Sequence, residues 1–136
     1  MHGIRSAEDE GSCLKRPEQK LQISIVQWMK RNLSKEVVFF HVPNGGNRSL
    51  REGAIFKAMG VVAGVPDLII AWPGIIAAIE LKAGKGSASE AQLEVQERMK
   101  AIGWHVYEVR SLDQFQLVLR NLGAPIATKD AVEFSI

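Results

Sequence analysis

Two carboxylates and a lysine interrupt the most apolar stretch of the chain, GVPDLIIAWPGIIAAIELKAG (64–84). Asp67 opens the first apolar run, and Glu80 and Lys82 close the second. Such runs on either side of a Pro-Gly pair predict two strands joined in a hairpin. Charges buried among apolar residues are costly unless they are paired or bind a metal ion. These three residues are therefore the first candidates for chemistry.

The predicted hairpin register brings the two carboxylates together. If Pro73 and Gly74 form the turn, counting outward along both strands places Asp67 directly opposite Glu80. Directly opposed Cβ atoms are about 4.5–5.5 Å apart, so like charges there repel unless they share a proton or a cation. A magnesium-type ion takes carboxylate oxygens, waters and a substrate phosphate as ligands, and lowers the pKa of a bound water. Lys82, on the same face, would stabilise the developing charge, which favours phosphodiester hydrolysis.

Each of the three residues alone has an ordinary structural interpretation. Asp67 can be a turn residue after Pro66, and Glu80 and Lys82 can be an exposed pair on a sheet face. Their joint presence on one apolar hairpin favours the chemical interpretation, because burial of unpaired charges is costly.

Composition limits the class of protein. The chain has 136 residues, a net charge of +2 and one cysteine, Cys13. This length predicts one domain with a core of its own. One cysteine excludes an internal disulfide framework and a cysteine-rich zinc site, and predicts a cytoplasmic setting. No apolar run reaches the ~18 residues of a membrane span, and the N-terminus lacks the apolar centre of a secretory signal.

Periodicity and capping signals predict the element order α-β-(α)-β-β-α-β-α, an α/β or α+β domain with a small mixed sheet flanked by helices. The predicted elements are a helix over 17–33, a strand over 36–43, a glycine-rich basic loop over 44–53, a helix near 50–59, strands over 67–72 and 75–82, a helix opened by a Ser87/Glu90 capping box, a strand over 104–110, and a helix opened by a Ser111/Gln114 capping box.

Helical spacing also predicts which side chains face the core. These are Ala88, Gln92, Val95, Met99 and Ile102 in one helix, and Phe115, Val118, Leu119 and Leu122 in the last. Outside the elements, the polar, aperiodic residues 1–16 predict a disordered leader, and residues 124–136 predict a tail or a short edge strand.

Pro66-Asp67 followed by Glu80-Leu81-Lys82 resembles the PD-(D/E)XK nuclease core. Over roughly residues 17–120 the chain resembles the VRR-NUC (virus-type replication-repair nuclease) family, most specifically in G-V-P-D, E-L-K and the S-x-x-Q of Ser89–Gln92. The resemblance implies a restriction-endonuclease-like domain over 17–123, similar in fold to Holliday-junction resolvases. It also implies metal-dependent nuclease activity and a homodimer, as in stand-alone phage-type members, in the cytoplasm of a bacterial or phage-infected cell.

The resemblance also implies roles for single residues. Asp67, Glu80 and the carbonyl of Leu81 would bind Mg²⁺ or Mn²⁺, Lys82 would be the catalytic lysine, Glu18 would complete the acidic cluster, and Gln92 would lie near the site. Two of these residues have an alternative interpretation. Glu18 in a first helical turn equally complements the helix dipole, and Gln92 on an apolar seam equally makes a structural hydrogen bond.

The glycine-rich loop carries candidate DNA contacts. Arg48 and Arg51 are placed to clamp a phosphate backbone, with Asn44 beside them, although Asn44-Gly45 is also a turn signal and lone arginines are usually solvated. His41, on an apolar strand, fits a core histidine better than a ligand.

The family name records Val-Arg-Arg, whereas this chain has Val109, Arg110 and Ser111. Ser111 is better explained as a helix cap. Any contact of the arginine pair with DNA therefore falls to Arg110 alone.

The leading hypothesis is a divalent-metal-dependent DNA nuclease that acts on duplex, branched or flap DNA in replication, recombination or repair. Alternatives are a Holliday-junction resolvase or restriction-like endonuclease on the same core, and a non-catalytic nucleic-acid-binding module. The presence of Asp67, Glu80 and Lys82 together favours catalysis, because a binding module has no need of all three.

Overall fold

The structure is a computed structural model that describes residues 17–43 and 49–127. Its elements are α1 (Pro17–Asn32), β1 (Val38–His41), α2 (Leu50–Ala58), β2 (Leu68–Trp72), β3 (Ile75–Leu81), α3 (Glu90–Ala101), β4 (His105–Val109) and α4 (Leu112–Leu122). This is the predicted order, with somewhat shorter strands. The predicted leader and most of the predicted tail lie outside the described residues. Within those residues no helix combines the length and apolar character that a membrane crossing requires.

The four strands form one sheet in the order β1-β2-β3-β4. β2 pairs antiparallel with both β1 and β3. β4 lies beside β3 and is reached through α3, the type of crossover that joins parallel strands. The predicted small mixed sheet with flanking helices is confirmed.

The turn between β2 and β3 sets the register of the hairpin. Trp72 pairs with Ile75 and Leu68 pairs with Ile79, so Pro73 and Gly74 are the two turn residues. Gly74 has φ 84° and follows proline, the combination that a type II turn requires. The predicted register is confirmed.

Two compact units are distinguished within the described chain. One, the helical unit, comprises residues 17–37, 81–86 and 108–127. The other, the sheet unit, comprises residues 38–80 and 87–107 apart from the undescribed 44–48.

The core of the helical unit lies between α1 and α4, each of which buries a stripe at helical spacing. Ile25 and Met29 from α1 are buried, as are Phe115 and Leu119 from α4. The rings of Trp28 and Phe115 meet edge to face, with centroids 6.1 Å apart and an interplanar angle of 88°. Such an aromatic pair adds about 0.5–1.5 kcal/mol beyond the burial of its surface. The inward positions Phe115 and Leu119 are confirmed.

In the sheet unit, three adjacent strands contribute one apolar face. Ile69, Ala78 and Val106 form a buried cluster on β2, β3 and β4, and Met99 of α3 packs against it. Ile102, predicted to face inward, is 75% exposed, so that prediction is wrong. Ile102 is the C-cap residue, and its dihedrals (φ −96°, ψ 9°) take it off the helical spiral.

Helix α3 begins later than predicted. The capping box is Ser89/Gln92 and not Ser87/Glu90: Gln92 N donates to Ser89 Oγ at 3.2 Å, and Ser89 N donates to Gln92 Oε1 at 2.9 Å. Both overlapping serine patterns satisfy the sequence rule. The first helical turn packs closely against Gly64, and we infer that this contact selects the second pattern.

Helix α4 is capped by Ser111 as predicted, because Gln114 N donates to Ser111 Oγ at 3.1 Å. The return bond differs from a capping box, since Gln114 Oε1 accepts from the backbone N–H of Arg110 at 2.7 Å. The backbone of Ser111 is extended, with φ −152° and ψ 161°. Through Gln114, helix α4 therefore also forms a hydrogen bond with Arg110, the residue that precedes its N-cap.

Replacement of Gly64 by alanine should destabilise the sheet unit. A Cβ there would lie 2.6 Å from the carbonyl carbon of Ala91 and 2.7 Å from Gln92 N, and the φ of 85° is itself strained for alanine. We expect the free energy of unfolding to fall by roughly 2–4 kcal/mol in urea denaturation, at or above the usual range for local strain. Gly74→Ala is the matched control, because Gly74 has φ 84° with nothing within 4 Å of its Cβ position. Equal losses in the two variants would contradict the close contact.

Candidate functional site

The site is built on the open end of the β2–β3 hairpin. The Leu68–Ile79 pair ends the observed ladder, and Asp67 and Glu80 are the next residues outward on the two segments. The carbonyl of Asp67 accepts from Val42 N at 2.9 Å and lies 2.8 Å from His41 Nδ1. These contacts from the end of β1 hold the backbone of Asp67 in line with β2.

His41 is exposed, so its predicted place in the core is wrong. β1 is the edge strand, and His41 ends it. Its ring nitrogen nevertheless has a structural partner in the Asp67 carbonyl. His41 acts as a support for Asp67.

Glu80 and Lys82 are both buried. Glu80, in the sheet unit, has a relative exposure of 2%, and Lys82, in the helical unit, has 9%. The interpretation of these residues as an exposed surface pair is therefore wrong. A carboxylate and an ammonium group removed from water to this degree are costly, and charged residues are almost never buried so fully without partners.

The donor set suits a hard divalent cation. Two carboxylates, from Asp67 and Glu80, offer the oxygen ligands that Mg²⁺ takes, with its remaining positions filled by carbonyl oxygens, waters and phosphate. Across residues 17–43 and 49–127, no group of three or more histidine, cysteine, aspartate or glutamate side chains is gathered to hold a metal. Leu81, whose carbonyl is a candidate ligand, is buried in β3.

Glu18 lies in the first turn of α1, in the helical unit. Its Oε1 accepts from the backbone N–H of Ala83 at 3.4 Å. The carboxylate therefore reaches the residue that follows Lys82 in the chain. It does more than complement the helix dipole.

Gln92 is half-buried and its Oε1 is engaged in the capping box of α3. The structural hydrogen bond predicted as one alternative is therefore present, although its partner is the helix terminus rather than the sheet. Gln96, one turn further along, escaped the sequence analysis. It is 7% exposed, and its Nε2 has no hydrogen-bond partner among the described residues. The sequence signal that could have found it is its spacing. Gln96 lies four residues after Gln92 and three before Met99, so the three share one helix face.

The candidate DNA contacts are only partly described. Asn44 and Arg48 lie outside the described residues. Arg51 is exposed in the first turn of α2, whose N-cap Ser49 accepts from Glu52 N at 3.1 Å. Arg110 is also exposed, but its guanidinium donates to the carbonyls of Gly84 and Gly86 and to Glu108.

Comparison with known proteins was made on sequence and on structure. No family model and no curated protein matches the chain. A solved structure named "VRR_NUC domain protein" is 30% identical, with a TM-score of 0.62 over 76% of this chain and 85% of that one. A second, named "VRR_NUC domain", is 20% identical, with a TM-score of 0.53 over 76% of this chain and 94% of that one, and shares the fold.

The chain belongs to the VRR-NUC family. Its mixed sheet with flanking helices is a restriction-endonuclease-like fold, as the resemblance in G-V-P-D and E-L-K implied. The fold is of the nuclease type.

The buried amide of Gln96 gives a stability prediction. We expect Gln96→Leu to raise the free energy of unfolding by about 1–2 kcal/mol, because a buried unsatisfied amide costs about 1–3 kcal/mol. Gln92→Leu, the same change one turn earlier, should lower it by about 1 kcal/mol through loss of the capping box. Thermal and urea unfolding of both variants would measure this. A destabilised Gln96→Leu variant would mean that the amide has a partner, such as an ordered water.

Proposed function

We propose that this protein is a divalent-metal-dependent nuclease that hydrolyses DNA phosphodiester bonds with Mg²⁺ or Mn²⁺. The observation that carries the proposal is the hairpin register, whose last pair is Leu68–Ile79. The next residues outward are Asp67 and the buried Glu80, and the buried Lys82 follows two residues later. Carboxylates close together at the end of an apolar hairpin repel each other unless they share a proton or a cation. Membership of a nuclease-type family supports the same conclusion.

The proposed roles follow from the chemistry of each group. Asp67 and Glu80 would hold the ion, with the carbonyl of Leu81 as a further ligand. The bound ion supplies a Lewis acid and a water of lowered pKa. Lys82 donates to the phosphate oxygen on which charge builds, and its burial strengthens that interaction because the local dielectric is low. Gln92 supports the site from the start of α3.

The proposed substrate is duplex, branched or flap DNA, cleaved during replication, recombination or repair in a bacterial or phage-infected cell. Arg51, at the exposed N-terminus of α2, would contact the phosphate backbone together with Asn44 and Arg48. Such contacts position the strand without reading its sequence. Specificity for a DNA structure would then depend on the shape of the substrate.

The direct test is incubation of the protein with plasmid, single-stranded, flap and four-way-junction DNA in Mg²⁺ or Mn²⁺. Cleavage that a chelator abolishes would support the proposal. The same substrates rank the alternatives, since preference for the junction would indicate a resolvase. Binding without cleavage in either metal would indicate a non-catalytic module.

Neutralising either carboxylate should separate stability from activity. We expect Asp67→Asn and Glu80→Gln to hold or raise the apo free energy of unfolding, because each relieves repulsion at nearly constant volume. Both should reduce cleavage by on the order of 100-fold or more, since an ion that supplies several kcal/mol of transition-state stabilisation is lost. Metal should no longer raise their melting temperatures, whereas saturation at 100-fold above Kd adds about 2.7 kcal/mol to the wild type.

Lys82→Met is the companion variant, because lysine is a donor and not a metal ligand. It should retain the metal-induced rise in melting temperature and lose cleavage. A clear fall in apo stability for both carboxylate variants, with cleavage retained, would show that Asp67 and Glu80 are structural.

We further propose a homodimer with an interface on α2 and β1. α2 contains no buried residue, and β1 is an edge strand. The exposed apolar side chains on and around these two elements are Val38, Phe40, Leu50, Ile55, Met59, Val61 and Val62. A helix without a buried face gains little from folding by itself, and an unpaired edge strand is a template for another chain. A two-fold axis would supply one active site for each strand of a duplex.

Ile55→Glu should break the dimer. The change places a charge on the proposed interface while glutamate remains a good helix former. We expect light scattering at micromolar concentration to give twice the 15.0 kDa of one chain for the wild type and one chain mass for the variant. Leu117→Glu is the control, because Leu117 is comparably exposed on α4. A wild-type mass of one chain would overturn the dimer.

A further inference from the structure

The guanidinium of Arg110 is bound to the protein at three points. Nη1 donates to the carbonyl of Gly84 at 2.8 Å, and Nη2 donates to the carbonyl of Gly86 at 2.6 Å. Nη2 also lies 2.8 Å from Oε1 of Glu108, in a salt bridge. All of these residues belong to the helical unit.

The two carbonyls belong to the loop that leaves β3 immediately after Lys82. The loop is a tight turn, with Gly84 at φ 59° and Gly86 N donating to the carbonyl of Ala83 at 3.2 Å. At its start, Lys82 N donates to the carbonyl of Val109 at 3.0 Å. Residues 109 and 110 therefore hold both the backbone of Lys82 and the loop beyond it.

We propose that Arg110 is a positioning residue that fixes the loop 83–86 and through it the backbone of Lys82. Its guanidinium acts within the protein and not on DNA phosphates. This inference rests on the proposed function, in which Lys82 is the catalytic lysine.

An arginine suits this task better than a lysine. Its planar fork presents two donors at fixed separation, which match two carbonyls two residues apart in a turn, whereas an ammonium is a point charge without that geometry. Glu108 orients the fork through a charge-assisted hydrogen bond.

The same ion pair argues against a role in binding phosphate. A guanidinium whose charge is compensated at 2.8 Å attracts a phosphate less strongly than a lone one. Its two terminal nitrogens are also committed to carbonyl oxygens of the loop. Binding of DNA through these atoms would require release of the loop.

The test compares Arg110→Lys and Arg110→Ala with wild type in three measurements. Hydrogen exchange at the Ala83 and Gly86 amides should become at least ten-fold faster in both variants. The Kd for a flap-DNA probe, measured with chelator, and its salt dependence should remain within two-fold of wild type. In Mg²⁺, kcat should fall about ten-fold or more while KM stays near its wild-type value.

Arg120→Ala is the matched control, because it removes an exposed arginine of the same unit from the last turn of α4. It should change none of the three measurements. Glu108→Gln keeps the charge and shape of Arg110 but removes its anionic partner. Hydrogen exchange at the Ala83 and Gly86 amides should then be faster than in wild type and slower than in Arg110→Ala. This variant also keeps the test valid if Arg110→Ala fails to fold.

Unchanged exchange at Ala83 and Gly86 in the variants would overturn the proposal. So would a weaker DNA complex whose salt slope falls by about one, the signature of a lost phosphate contact. If the wild type cleaves no substrate in either metal, the proposed function fails. Hydrogen exchange then still decides whether Arg110 holds the loop.

Discussion

The structure depends on the register of one β-hairpin. Proline followed by a glycine at positive φ makes a two-residue turn between β2 and β3, and every pair along the ladder follows from it. A slip by one residue would turn the side chains of one strand to the opposite face. Asp67 and Glu80 would then no longer flank the same pair of the ladder, and Ile69 would leave the cluster against which Met99 packs. Turn, core and candidate site are thus specified by a single register.

The burial of Glu80 makes the hairpin register energetically important. On a solvated sheet face, two opposed carboxylates would repel weakly through water. Glu80 is almost fully buried, so its charge carries a large desolvation cost that folding must offset locally. The neighbouring backbone is held accordingly: the carbonyl of Asp67 is bound from the end of β1, and Lys82 N is bound by Val109. Rigid strand ends around costly charges are typical of pre-organised sites.

Hydrogen bonds from side chains to backbone finish this organisation. Glu18 reaches Ala83 N, Arg110 holds the carbonyls of Gly84 and Gly86, and Gln114 holds Arg110 N. None of these bonds lies within a regular element. The bonds of Glu18 and Arg110 tie a helix and a strand end to the segment that follows β3, and the bond of Gln114 ties α4 to the residue that follows β4. Polar residues resembling those of a nuclease family therefore also stabilise the fold. A role in the reaction and a role in the scaffold are compatible for the same side chain.

Local patterns in the sequence were sufficient for the element order, the hairpin register and the Ser111 cap. Each depends on interactions within a few residues or across one short turn, where the hydrophobic period and the turn residues allow few alternatives.

Tertiary structure decided the features for which local patterns allow more than one outcome. Two overlapping serine patterns fit the start of α3, and we infer that the close approach of Gly64 selected one. Gln96 and Ile102 both fit a helical face, but the first is buried and the second exposed, because burial depends on what packs against the helix. Likewise, the sequence does not distinguish an arginine free in solvent from one bound to a loop. Only the folded chain brings Arg110 to Gly84 and Gly86.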